Sequence, residues 1–505
     1  MTETGRAGAE APPETRLPRL SEAVLADLPA AIMRPKYDRR GVTAGIVHLG
    51  IGAFHRAHQA VYTDDILADD PSWGIVAASL RSPDTREALR PQHGLYTLAV
   101  RGGEGEALRV VGSVSDVLVV SEEREALLRA MTDPRVRIVS LTITEKGYCH
   151  DPATGALNEA HPGIRHDLSQ PHAPHTAPGL LVEALARRCA LRTPPFAVLT
   201  CDNLPSNGAI AKRILDRFAA LRDPGLGAYV AGELACPATM IDRITPATTD
   251  EDRALIAERL GAWDAWPVVT EPFSQWVIEE HFPAGRPAWE KAGAELVSDV
   301  APYELMKLRL LNGAHSSLAY LGYLAGYELI SEATADPSFE RYARGLMQEV
   351  TPTLVVPRGT DLAAYKRSLI ERFKNPTLKH RTWQICMDGS QKLPQRLLGS
   401  IRDCLRLGAP FDRLALGIAG WMRYVTGTDE KGRAIDVRDP MAEELRVLAG
   451  SASASAGHLV RALVLVEDIF GSDLAANPRF RAAVAQRLDR LYAIGAKRAV
   501  AEIAG

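Results

Sequence analysis

Short apolar runs and segments of helical period alternate through the first half of the chain. Gly45–Gly50 (GIVHLG), Trp73–Leu80 (WGIVAASL), Val136–Thr144 (VRIVSLTIT) and Phe196–Cys201 (FAVLTC) have the length and the apolar, β-branched character of buried strands. Arg56–Leu67 and Pro178–Ala190 carry helical spacing, and Pro178 suits a first helical turn, where its missing N–H costs little. Strands alternating with helices predict an α/β fold with a mostly parallel, doubly wound sheet. After about Val297 the pattern changes. Tyr303–Tyr323, Phe339–Glu349, Leu362–Phe373, Leu393–Leu405, Phe411–Tyr424 and Phe480–Ile494 all read as amphipathic helices, with few strand candidates between them. Asp361 and Asp412 are expected N-caps, and Gly408 and Gly495 are expected helix stops. The chain therefore divides near 296, into an α/β part (17–296) and an all-α part (297–505). Residues 1–16, rich in Ala, Glu, Pro and Thr, read as a flexible tail, and Ser451–Gly457 (SASASAG) is the other biased stretch.

Composition narrows the function classes. The 505 residues are 46% hydrophobic and 24% charged, enough apolar surface to offset chain entropy, so a mainly disordered chain is excluded. Fifty-nine Lys+Arg against 62 Asp+Glu leave a formal charge of -3, which supplies no global field for nucleic acid or an anionic membrane. No run approaches the roughly 20 apolar residues of a membrane span, and the first residues lack a signal-peptide core. The expectation is a cytoplasmic protein, monomer or small homo-oligomer, with a small-molecule partner and neither nucleic acid nor membrane. Cys149, Cys189, Cys201, Cys236, Cys386 and Cys404 are too sparse for a disulfide scaffold and are expected reduced and mostly buried.

The first strand runs into Gly50-Ile51-Gly52-Ala53-Phe54-His55. Two glycines fit a dinucleotide-binding turn, one for the tight bend and one for backbone approach to a pyrophosphate at a helix N-terminus. His55 stands where the fingerprint has its third glycine. The end of the second strand, where an acid favours NAD and an Arg favours NADP, offers both Arg81 and Asp84 and leaves the choice open.

The richest chemistry lies in Tyr303–His315 (YELMKLRLLNGAH). At about 100° per residue, Lys307, Glu304, His315 and Asn312 project near 0°, 60°, 80° and 140°, on one side of a largely apolar helix. A polar stripe of that kind is either solvent-facing or a site, because burial without partners is costly. A Lys with a lowered pKa can take an alcohol proton, an Asn amide can donate to a carbonyl oxygen becoming an alkoxide, and a His can hold a neighbouring hydroxyl. Those parts suit hydride transfer between a secondary alcohol and NAD(P). Upstream, Cys201–Gly208 (CDNLPSNG) follows a strand, where doubly wound folds bind ligands, so Asn203 is either a second amide for the carbonyl or a brace for the turn. His55, His58, His150 and His315 form no ligand cluster with the cysteines, so no metal is expected.

Together these segments resemble the mannitol dehydrogenase family of polyol-specific long-chain dehydrogenases. The matching stretches are GIVHLGIGAFHRAHQAVYTDDIL, SLTITEKGYCHD, VLTCDNLPSNG, CPATMIDRITPATT, EPFSQWVIEEHF, YELMKLRLLNGAHSSLAYLGYL, DGSQKLPQRLL and ALGIAGWMRYVTG, from about Pro35 to near the C-terminus. The resemblance implies a Rossmann-type N-terminal domain, an all-α C-terminal domain and metal-independent, NAD-linked oxidoreduction. By the same resemblance Lys307 is general base and acid, Asn203 and Asn312 form the oxyanion site, His315 orients substrate, and Glu304 is the proton-path carboxylate. It assigns Gly50, Gly52, Ala53, Phe54, Arg81, Asp84 and Glu145 to the cofactor and Asp242 and Lys392 to the substrate. Two departures from the mannitol-oxidising pattern, Lys146 in TEKGY and Gln384 in HRTWQ with His380 and Arg381 beside it, resemble the family's fructuronate reductase (D-mannonate oxidoreductase) branch. A uronate carries a carboxylate, with which Lys146 or Arg381 could pair; the alternatives are that these cations serve an internal Glu or cofactor phosphate, and that the substrate is a neutral polyol such as mannitol.

Overall fold

The structure, a computed structural model, describes residues 16–103, 105–151, 154–451 and 455–505; the predicted tail, apart from Arg16, and residues 452–454 of the SASASAG run lie outside them. The chain forms two compact units that meet in sequence at Val300 and Ala301. The boundary falls later than the expected 296 because Glu295–Val297 pairs with Gln275–Glu279 in a sheet of the first unit.

The first unit is built on five parallel strands, β1 (Ala44–Leu49), β2 (Gly74–Ser79), β5 (Val114–Val119), β6 (Ile138–Leu141) and β7 (Ala197–Thr200), in the order β5-β2-β1-β6-β7. The chain winds outward from β1 and then returns to the other side of it at β6. The order thus reverses between β1 and β6, the switch point at which doubly wound sheets bind ligands. The near-continuous burial of β1, β6 and β7 is what a parallel sheet covered on both faces requires. Val47 and Leu49 join one core with Leu180 and Phe218, while Ile46 joins the opposite core with Trp276 and Trp289. Two three-stranded sheets complete the unit. One pairs the hairpin β3 (Tyr96–Gly102) and β4 (Gly105–Val111) with β9 (Val268–Thr270); the other orders β8 (Thr239–Asp242), β10 (Gln275–Glu279) and β11 (Glu295–Val297) as β11-β10-β8. The segment expected as one helix over Arg56–Leu67 is two, Ala53–Ala57 and Gln59–Ile66, because His58 leaves helical geometry (φ -123°, ψ -92°).

Among the described residues the named elements of the second unit are all helices. Ala314–Ala325 is buried on nearly every side and packs against Thr382–Cys386, Asp412–Tyr424 and Pro478–Ala504, as an all-round apolar helix must. Asp361 caps its helix by accepting from Ala364 N–H at 2.9 Å, and Gly408 ends one in the left-handed region. Asp412 is not a cap. Phe411 holds that position, and Asp412 lies in the first turn, where its charge suits the helix dipole. Gly495 (φ 77°, ψ 164°) kinks Pro478–Ala504 rather than ending it. All six cysteines are unpaired.

The expected helix over Tyr303–Tyr323 has an interruption with consequences. Ala301–Met306 is α-helical, Lys307–Gly313 is wound as a π-helix, and α-helix resumes at Ala314. The helix expected over Leu393–Leu405 also carries a π segment, Pro394–Leu398, and the two wide turns pack together. At their contact a methyl group on Gly313 would stand 2.8 Å from the Arg396 carbonyl oxygen. Gly313→Ala is therefore expected to destabilise by about 1–3 kcal/mol through overpacking against backbone that cannot step aside. Gly232→Ala, at a helical glycine whose Cβ would meet nothing within 4 Å, should not destabilise. Denaturant unfolding of the two variants compares them.

Candidate active site

The first candidate region gathers at the carboxyl ends of β1, β6 and β7. Gly50 turns the chain with φ +96°, and a Cβ there would lie 2.1 Å from Thr142 O, so this bend excludes any side chain. Gly52 is the N-cap of Ala53–Ala57, and a Cβ on it would meet nothing nearer than Gly50 O at 3.9 Å. Ala53 and Phe54 form the first turn. At the third fingerprint position His55 is buried and stacks on His48 of β1, with ring centroids 3.5 Å apart and planes 11° from parallel.

His48 ties the turn to both sides of the switch point. The Thr142 hydroxyl donates its one hydrogen to Gly50 O at 2.7 Å, so at 2.9 Å from Thr142 Oγ1 it is His48 Nε2 that donates. Burial pulls His48 down to about 3, which keeps the ring neutral, so Nδ1 accepts from Ser140 Oγ at 2.8 Å. Burial also holds His55 well below the usual range, with the neighbouring His48 adding to the effect. Strand β2 ends at Ser79, and Arg81 and Asp84, both exposed, follow it.

Beyond β6, Thr144 sits at φ +63°, an outlier for a β-branched residue. Strain of this kind costs of order 1–3 kcal/mol and has to be held in place. Asp202 holds it, accepting from Ile143 N–H and Thr144 N–H at 3.0 Å each and from the Tyr148 hydroxyl at 2.7 Å. Its carboxyl is raised above the usual range, chiefly by burial. The loop so fixed presents Glu145 and Lys146, both exposed.

Asn203 and Asn207 divide the two roles weighed for this motif. Asn207 is the brace. It is buried, donates to Thr200 O at 3.1 Å and Thr239 O at 2.9 Å, and accepts from Thr239 N–H at 3.0 Å, stitching β7 to β8. Asn203 is exposed. Asp242, the last residue of β8, is buried.

The second region lies on the π segment. Closing i→i+5 hydrogen bonds widens each turn, so a residue advances by about 85° instead of about 100°. Asn312 then projects about 65° from Lys307 rather than about 140°, and His315 comes back to within about 10° of it. The winding thus gathers the expected polar face more tightly than a regular helix would. Arg309, the other cation here, points elsewhere and is neutralised by Asp403 at 2.6 Å. Lys307 is only 7% exposed, Asn312 is half-buried, and Glu304 is half-buried on the preceding α-helix.

His315 is buried, and its Nε2 has no protein partner. Phe373 stacks on one side of the ring at 5.3 Å, and the His380 ring lies 4.7 Å away. Burial holds its pKa well below the usual range, and His380, Arg396, Arg372 and Lys392 push in the same direction. His380 is pulled down to about 4 by burial and by Arg372. His315 is therefore a neutral imidazole in positive surroundings. Lys392 donates to Met387 O at 2.5 Å, and Arg396 to Ser316 Oγ at 3.1 Å. Arg381 is exposed, at the N-cap of Thr382–Cys386, so of the pair His380-Arg381 it is the histidine that lies against His315. Sequence reasoning did not single out Arg396 or Arg372. Arg396 follows Lys392 by four residues, a spacing that shares a helix face and would have found it. Arg372 is joined to His315 only through tertiary packing.

The sequence pattern of the mannitol dehydrogenase Rossmann domain matches residues 44–291, and that of the mannitol dehydrogenase C-terminal domain matches residues 299–492. The chain belongs to the mannitol dehydrogenase family. This member of the family is an oxidoreductase acting on a secondary alcohol. It is 48% identical to the D-mannonate oxidoreductase of Escherichia coli (strain K12) over 96% of this chain and 100% of that protein. It is 42% identical to a mannitol 2-dehydrogenase of Phaeosphaeria nodorum over 93% of this chain and 83% of that protein. Among solved structures, the Pseudomonas fluorescens mannitol 2-dehydrogenase in ternary complex with NAD and D-mannitol matches with a TM-score of 0.87 and 39% identity, covering 96% of this chain and 99% of that one. Among the described residues no helix is long and apolar enough to cross a membrane.

Two measurements test this family member's local architecture. Asn207→Ala should cost about 1–3 kcal/mol, the penalty for orphaning buried backbone groups; urea titrations read it. Because the folded state refuses a proton at His380 that the unfolded chain takes up, stability falls as pH drops from about 6.5 toward about 4. In His380→Phe unfolding should take up about one proton fewer over that window.

Proposed function

We propose that this enzyme interconverts D-mannonate and D-fructuronate with NAD as the hydride carrier. The observation that carries the reading is the set of cationic and imidazole groups around His315, namely Arg372, Arg396, Lys392 and His380. A uronate brings a carboxylate, for which Arg is the best-matched partner and which a neutral polyol lacks. The higher identity to the D-mannonate oxidoreductase than to the mannitol 2-dehydrogenases named above supports the same substrate.

The turn suits a dinucleotide: Gly50 makes a bend that no side chain permits, and the open space over Gly52 admits a pyrophosphate to the backbone. In this reading Gly50, Gly52, Ala53, Phe54, Arg81, Asp84 and Glu145 hold NAD, which supplies the hydride acceptor when bound. Lys307 takes the hydroxyl proton as the alcohol is oxidised and returns it in reduction, and Glu304 passes that proton on. Asn312 and Asn203 donate to the oxygen as it becomes an alkoxide, each contributing about 2.7–4 kcal/mol by the measure of other oxyanion sites. His315, neutral and with a buried nitrogen unpartnered, exchanges a hydrogen bond with a substrate hydroxyl. Asp242 and Lys392 bind substrate, and Lys146 and Arg381 are further cations offered to the carboxylate.

Steady-state rates with D-mannonate and D-mannitol, each with NAD and NADP, test the substrate and the cofactor. Preference for mannitol would overturn the carboxylate reading and leave a neutral-polyol dehydrogenase. Lys307→Ala is expected to lose at least three decades of turnover while still quenching NADH fluorescence on binding. Arg372→Gln should raise KM for mannonate more than tenfold and leave the poorer mannitol reaction nearly unchanged. Lys146→Gln and Arg381→Gln, assayed alongside, rank the exposed cations against it.

A further inference from the structure

Helix Pro162–Ser169 and the loop after it bring together His166, Asp167 and His175, whose ligand atoms all lie within 4.8 Å of one another. None of the three takes part in the reaction proposed above. Asp167 is fully buried, and its carboxylate is locked in orientation. Its Oδ1 accepts from His175 N–H at 2.9 Å; its Oδ2 accepts from Thr176 N–H at 2.8 Å and from the Thr176 hydroxyl at 2.6 Å. The remaining direction of Oδ1 faces His166 Nδ1 at 2.9 Å. The His175 ring lies on the His166 ring, with centroids 4.0 Å apart and planes 14° from parallel. The His166 side chain is 31% exposed and His175 is exposed, so both rings retain room to turn about a common centre.

A neutral imidazole carries its proton on one nitrogen and a lone pair on the other. With the His166 proton on Nε2, Nδ1 and Asp167 Oδ1 present facing lone pairs. At ordinary metal–ligand distances of about 2.0–2.1 Å, atoms 2.9 Å apart subtend about 90° at a shared ion, a normal coordination angle. We propose that His166, Asp167 and His175 form a divalent transition-metal site that takes zinc(II), with water completing the coordination. Two imidazoles and one carboxylate suit a borderline ion and not calcium or magnesium, which prefer oxygen ligands. No redox step is involved: the ion takes the place of the Nδ1 hydrogen, and that proton resides on Nε2 of the same ring. The ion joins the end of Pro162–Ser169 to Thr176, whose hydroxyl caps Ala177–Leu191, so it braces the packing of two helices.

The full-length protein, stripped with chelator and dialysed, is titrated with cobalt(II) and followed by visible d–d absorption, with zinc(II) as competitor. The expected result is one equivalent of bound cobalt displaced by zinc, and a melting temperature raised by zinc. His166→Ala and His175→Ala should each weaken cobalt binding at least tenfold and abolish the thermal shift. His172→Ala, whose ring pairs with Glu183 at 3.2 Å, should leave both intact. Circular dichroism and oxidoreductase turnover of the variants report that they are folded. Absence of cobalt absorption, or unchanged binding in the His166→Ala/His175→Ala double variant, would overturn the site.

Discussion

Gly313 approaches the Arg396 carbonyl so closely that even a methyl group would collide with it, and the polar face of Lys307, Asn312 and His315 is arranged around that approach. The contact lets two wide turns, Lys307–Gly313 and Pro394–Leu398, pack against each other. The wide winding of the first brings Lys307, Asn312 and His315 to one side while sending Arg309 to Asp403 on another. The second carries Arg396 toward His315, with Lys392 just ahead of it. A regular helix of the same sequence would spread the amide and the imidazole away from the amine. π segments concentrate at functional sites for this reason: an extra residue in a turn re-aims every side chain beyond it.

The Rossmann unit solves a different problem, which is to keep three loops rigid where strands end. It does so with buried polar groups whose bonding is complete. His48 joins Ser140 to Thr142 and so to Gly50; Asp202 holds the strained Thr144 by accepting from its N–H, from Ile143 N–H and from the Tyr148 hydroxyl; Asn207 stitches β7 to β8. Such networks rigidify only when every partner is present, since a half-satisfied buried group costs more than an apolar one. Asn203, Glu145 and Lys146, which the proposed function assigns to ligand, stand beside these anchors in sequence and are exposed.

Much of this was legible in the chain. Parallel strands buried on both faces leave apolar runs, and β1, β2, β6 and β7 were visible as such, as was the helical character beyond 300. The π winding was not, because the spacing of Lys307, Asn312 and His315 fits one side of an ordinary helix tolerably well, and only the crowding at Gly313 distinguishes the alternatives. Asn203 and Asn207 are chemically the same residue in one motif, and their separation into exposed amide and buried brace depends on which faces β8. Arg372 illustrates the remaining gap: nothing near it in sequence connects it to a histidine 57 positions upstream (372 − 315), and its influence there comes from the folding of one helix onto another.

The paired rings of His48 and His55 also set a limit on the conditions this fold can tolerate. Where other nucleotide folds bring helix and strand together over a hydrogen atom, here a flat aromatic spacer fills the gap, and both of its layers are bases. Uncharged, they adhere; were both to acquire protons, two cations would confront each other a few ångströms apart with no counter-charge between them. Sourness would accordingly loosen the turn after β1 from within.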